Sequence, residues 1–194
     1  PDNSSGNISG SGADQAQATP ATSFNTGLEN LPASLRDVNV DGALEVDAQG
    51  HLILDFNVRR VFDFFLTATG EEPLEILVSR IRAYINSQLP ADAATEAHRV
   101  LDEYLAMQQA LEGLSDHTTP VANDGEVDAA TLRARKADIQ AVRQQYLHPD
   151  TYSAFYDQED QYDNFSLSRL EIVQDKTLSP LERSEKVAAL EQTL

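Results

Sequence analysis

The chain has 194 residues, no cysteine and a formal net charge of −18, from 32 Asp and Glu against 14 Lys and Arg. The length allows one or two small domains, and the lack of cysteine excludes disulfide stapling, thiol chemistry and Cys-based zinc sites. The acidic excess repels phosphate backbones and anionic lipid surfaces, which argues against nucleic acid as a partner and keeps an open protein-binding surface soluble.

Residues 1–30 are Ser, Gly, Ala, Asn, Gln and Thr with almost no apolar content. Such a composition cannot offset backbone entropy by burial, so the segment reads as a disordered linker with a reach on the order of 30 Å. No apolar run is long enough to cross a bilayer and no signal peptide is present. Any membrane anchor or export signal is therefore expected upstream of Pro1.

Folded structure is expected from about Leu31. Ala43-Leu44-Glu45-Val46 and His51-Leu52-Ile53-Leu54 flank Asp47-Ala48-Gln49-Gly50, which predicts a short β-hairpin with glycine at the tight position. Val58, Val61, Phe62, Phe65 and Leu66 then recur at helical spacing. Gly70 stops that helix, and Pro73 opens a second one with the stripe Leu74, Leu77, Val78, Ile81, Tyr84 and Ile85. A third helix spans about 93–114, facing inward with Val100, Leu101, Tyr104, Leu105 and Leu111.

A loop is expected at 115–125, followed by a helix over 127–147. That helix has a thin apolar stripe of Leu132, Ile139, Val142 and Tyr146, interrupted by Arg135. Another helix is expected over 161–174. The last starts at Ser179, where Ser-Pro-Leu-Glu supplies an N-cap, an N1 proline and an N3 carboxylate. The fold class that results is mainly α. A small helical mini-domain with a short β-hairpin is followed by an extended, non-compact helical arm. The organisation expected is a linker at 1–30, the mini-domain and the start of the arm at 31–114, and an extended helical domain at 115–194.

Signals for catalysis, metals and cofactors are absent. His51, His98, His117 and His148 are scattered without metal-ligand spacing, and no phosphate loop, dinucleotide fingerprint or Gly-x-Ser-x-Gly elbow occurs. Asp37-Val38-Asn39-Val40-Asp41-Gly42 copies the start of a calcium loop. The closing bidentate position falls on Ala48, so a turn into the hairpin accounts for these residues better than a cation site.

The densest motif is Arg59-Arg60-Val61-Phe62-Asp63-Phe64-Phe65-Leu66-Thr67-Ala68, with Gly70-Glu71 just beyond. It resembles the signature of the lipase-specific foldases, also called lipase chaperones, modulators or helper proteins. Arg59, Phe62, Asp63, Phe65, Leu66, Thr67, Ala68, Gly70 and Glu71 match, while Phe64 stands where that family usually has Tyr. The exchange keeps the ring and removes a hydroxyl. The resemblance implies a steric chaperone without cofactor or nucleotide, held at the periplasmic face of the inner membrane by an upstream anchor. Its client would be a secreted bacterial triacylglycerol lipase, and a second mini-domain would lie beyond Leu194. The alternative is a helical protein-binding adaptor without folding activity; an enzyme is the most distant reading.

Within the motif, Phe62 and Phe65 read as core. Phe64 falls about 120° from the centre of the apolar stripe, beside Arg60. It reads either as a partner-binding anchor or as a ring packed under the hairpin or the third helix. Arg59 and Asp63, one turn apart, can pair and either pin the helix or recognise a partner. Arg59, Arg60, Asp63 and Phe64 are therefore the candidate partner-binding residues. A second aromatic concentration, Tyr146, Tyr152, Phe155, Tyr156, Tyr162 and Phe165, sits among Asp157, Glu159, Asp160 and Asp163. It fits a protein-binding surface or a local core pinning a bend.

Overall fold

Six helices carry the regular structure of the computed structural model, which describes residues 23–114 and 128–193. They are α1 (Phe56–Leu66), α2 (Leu74–Gln88), α3 (Ala91–Glu112), α4 (Ala129–Tyr146), α5 (Pro149–Gln174) and α6 (Pro180–Glu191). Local chemistry sets several of the starts. Asp55 accepts the Asn57 N–H at 2.8 Å to cap α1, and Asp128 accepts from Ala130 and Thr131 to cap α4. Ser179 and Glu182 form the reciprocal capping box of α6. Prolines open α5 and α6, where a missing N–H leaves no bond unmade.

The core lies among α1, α2, α3 and the first half of α5. Val58, Val61, Phe62 and Phe65 of α1 are fully buried against Leu77, Ile81 and Ile85 of α2 and Val100, Leu101 and Met107 of α3. Phe62 sits 5.8 Å from Tyr104 and 6.5 Å from Phe155, and Tyr104 lies 5.9 Å from Phe155 edge-on. These three rings join α1, α3 and α5 in one cluster, in the geometry that aromatic quadrupoles favour. The second half of the chain buries far less. Ala129 is the sole buried residue of α4, and no residue of α6 is buried. Ion pairs join α4 to α5 instead: Lys136 to Asp160 at 2.8 Å and Asp163 at 3.2 Å, and Arg133 to Glu171.

The expected β-hairpin is not formed. Among the described residues the segment shows one isolated antiparallel bridge, Val46 to Leu52, around the turn at 47–50. Cross-strand bonds from Asp47 to His51 and from Ile53 to Glu45 flank that bridge, and the pairing goes no further. Glu96 of α3 accepts the Leu52 N–H at 2.9 Å and contacts His51 Nδ1 at 2.8 Å. Three residues after the bridge, Asp55 already caps α1. Helix α5 is also longer than its sequence pattern indicates, beginning at Pro149 rather than near residue 161. Its buried residues Thr151, Phe155, Tyr156 and Asp160 mix polar with aromatic, which hides a helical stripe from a purely hydrophobic reading. The loop expected at 115–125, with His117, lies outside the described residues, as do residues 1–22 of the expected linker.

Candidate functional site

The signature helix turns most of its candidate binding residues toward its own fold. Arg59 donates to the Phe155 carbonyl and to Glu159, both at 3.0 Å, and lies 3.4 Å from Asp63 one turn on. Its guanidinium is 4.4 Å from the Tyr156 ring centre, and that of Arg143 from α4 is 3.8 Å from the same ring. Arg143 also reaches Glu159 at 2.8 Å. Three helices thus meet on one carboxylate and one aromatic ring, since planar guanidinium groups both stack and fork. The Nε of each arginine makes no hydrogen bond; that of Arg59 faces Asp63 as an ion pair only.

Burial and charge act in opposite directions here. Burial works to lower the Arg59 pKa, but Tyr156, Glu159, Tyr104 and Asp63 around it lift it above the ordinary arginine range. Burial would raise Glu159, yet the hydrogen bond from Arg59 and the charge of Arg143 hold it below the ordinary glutamate value. Asp63 accepts a 2.5 Å bond from the Tyr104 hydroxyl, and burial pushes that phenol far above the ordinary tyrosine range. Tyr104 therefore stays a neutral donor at any physiological pH.

Arg60 faces outward, almost half exposed, and pairs with Asp41 at 2.6 Å. That contact commits one carboxylate of the calcium-like stretch to a cation. Phe64 is only 7% exposed and meets Phe65 edge-on at 5.2 Å, so it is not displayed as a surface anchor. The chain at Gly42 lies directly on the face of α1 that leads to Phe64. A Cβ at residue 42 would stand 2.3 Å from the Asn57 carbonyl and 2.9 Å from Arg60 Cβ, and φ there is +87°. Only glycine allows this approach. Around the end of α1, the Thr67 hydroxyl donates to the Phe64 carbonyl at 2.7 Å, Ala68 is fully buried and Leu66 half-buried. Beyond Gly70, Glu71 accepts the Ser34 N–H at 3.3 Å.

A second arginine centre escaped the sequence reading. Arg80 of α2 is 2% exposed and uses all five of its N–H groups. Nε and Nη2 fork onto Glu72 at 2.7 Å each, Nη1 donates to the Gly27 and Glu29 carbonyls, and Nη2 also reaches the Asn30 carbonyl. The Phe24 ring covers the guanidinium at 4.2 Å. A Cβ on Gly27 would lie 2.2 Å from the Arg80 carbonyl oxygen. Residues 24–30, within the segment read as linker, are thus held against α2. The available signal was a charged residue on the apolar stripe between Leu77 and Ile81, with a glutamate eight residues earlier.

Residues 100–194 match the proteobacterial lipase chaperone protein family. The lipase chaperone of Stutzerimonas stutzeri strain A1501 is 39% identical over 171 residues, 86% of this chain and 50% of that protein. The chain belongs to the lipase chaperone family. The lipase chaperone of Ectopseudomonas mendocina is 37% identical over 171 residues, again 86% of this chain and 50% of that protein. That of Acinetobacter venetianus is 32% identical over 163 residues, 84% of this chain and 46% of that protein. The chain spans about half the length of the curated relatives it matches. Among the described residues, no helix is long and apolar enough to cross a membrane.

Proposed function

We propose that this chain is the body of a steric chaperone that binds a secreted bacterial triacylglycerol lipase and lowers the barrier to its active fold without ATP. The observation that carries this reading is the similarity to proteins named lipase chaperones across 86% of the chain, including the signature helix. A surface complementary to the late folding transition state would lower that barrier as an enzyme lowers a chemical one, by binding the transition state more tightly than the states flanking it. The location proposed is the periplasmic face of the inner membrane, through an anchor upstream. Residues 31–114 are proposed as the mini-domain with the start of the arm, and 115–194 as an extended helical domain.

Within this scheme Arg60 contacts the client directly, because it is the most exposed of the four candidates. Arg59, Asp63 and Phe64 act by setting α5 and the 41–42 loop against α1. Denatured cognate lipase is refolded with and without this chain, and ester hydrolysis is followed. Activity appearing only with the chain supports the proposal; firm binding without activity points to an adaptor. The Phe64→Ala variant separates direct contact from positioning. Loss of activation at unchanged melting temperature marks a contact, and joint loss of both marks a positioning ring.

A further inference from the structure

We infer that the client docks along a continuous strip of α5, from a groove beside Phe56 and Tyr162 to a second groove beside Arg135, through a segment carrying aliphatic side chains and a carboxylate. This rests on the client reading above and adds where the client sits and what it must present. The first groove, of about 360 Å³, lies between the start of α1 and α5 and is flanked by Phe56 and Tyr162, which are 47% and 68% exposed. The second, of about 440 Å³, runs between α4 and α5 and contains Leu132, Ile139 and Leu167 with Arg135. Glu159 lines both. Tyr162 stands three residues from Glu159, about 60° around the helix, so the two grooves occupy adjacent faces of α5.

Arg135 decides the chemistry of the occupant. In a chain of net charge −18, the other cations of this groove already have partners: Lys136 on Asp160 and Asp163, Arg143 on Glu159. Arg135, half-buried among aliphatic side chains, has no ion pair or hydrogen bond among the described residues. A partner carboxylate on this guanidinium completes a charge-assisted pair, and aliphatic side chains beside it fill the trough. Two antiparallel helices with a seam of this kind form the seat used for helix-in-groove recognition. An anionic lipid or nucleic acid would meet the surrounding acidic surface. The exposed Tyr162 provides the large amphipathic ring that anchors interfaces, at the wet end of the strip.

Binding of this chain to its cognate lipase, diluted from denaturant, is measured by biolayer interferometry for wild type, Arg135→Glu, Arg135→Lys and Tyr162→Ala. Arg135→Glu is expected to weaken binding about tenfold and Tyr162→Ala severalfold, while Arg135→Lys stays close to wild type. Helical content by circular dichroism should be unchanged in all. Arg135→Gln, which removes the charge without reversing it, serves if the reversal disturbs α4. Wild-type affinity in the double variant Arg135→Glu, Tyr162→Ala overturns the strip and leaves the chaperone reading standing. No binding by the wild-type chain overturns both.

Discussion

The helices around α1 and the helices after residue 128 are held by different forces. In the first region, fully buried Val, Ile, Leu and Phe side chains from α1, α2 and α3 close on one another, and the one deeply buried cation, Arg80, has every N–H satisfied. In the second, Phe155 and Tyr156 of early α5 reach the core, but α6 buries nothing and α4 only Ala129, and α4 is tied to α5 through Arg133, Lys136 and Arg143. Apolar packing is weakened neither by charge screening nor by protonation, whereas partly exposed ion pairs are weakened by both. One region is therefore an apolar platform, and the other is held largely by charge. They are joined where Arg59 and Arg143 share Glu159 and Tyr156.

The largest effect expected is in the platform. Phe62→Ala removes the ring shared by α1, α3 and α5 and should lower unfolding free energy by about 3–5 kcal/mol in urea melts. Glu72→Ala strands the buried Arg80 charge and should cost about 3 kcal/mol, with faster amide exchange over residues 24–30 as its local mark. Slow exchange there in the variant would mean that the guanidinium does not hold this segment.

At the joint, Arg59→Ala breaks two charge-assisted hydrogen bonds and should cost about 1.5–3 kcal/mol, with amide protection lost first in the early turns of α5. If protection falls instead in α2, the two regions are not joined as described. In the second region the dependence is on pH and salt. Glu159 and Asp160 are held below their ordinary values of 4.5 and 3.8, so the folded chain binds fewer protons than the unfolded one. Their contribution is complete above those ordinary values and is lost as pH falls through the depressed folded ones. Protection of α4 and α5 amides, relative to their intrinsic exchange rates at each pH, should therefore fall on acidification, and with about 1 M salt, before that of α1 changes. The smallest effect is expected from Ser179→Ala, which frays the start of α6 without shifting the main transition, because that helix carries no core residue.

Much of the molecule was legible in the chain itself. The periodic stripes of α1, α2 and α3, the capping box at Ser179 and the thin stripe of α4 are local patterns, and local patterns are what backbone periodicity and capping chemistry determine. The signature carried family membership, because it is a run of fixed residue types within one helix and its exit. Three features needed the tertiary structure. Phe64 lies off the apolar stripe by helical geometry, yet the folded chain leaves it only 7% exposed, its ring edge-on to Phe65. The early turns of α5 carry polar and acidic residues among their aromatics, and they are helical and partly buried because Arg59, Lys136 and Arg143 arrive from other elements to neutralise them. Arg80 is buried because three carbonyls from residues some fifty positions earlier and the Glu72 carboxylate converge on its five donors. A single chain segment specifies its own period and its own caps; which charge is satisfied by which distant group is settled only when the helices meet.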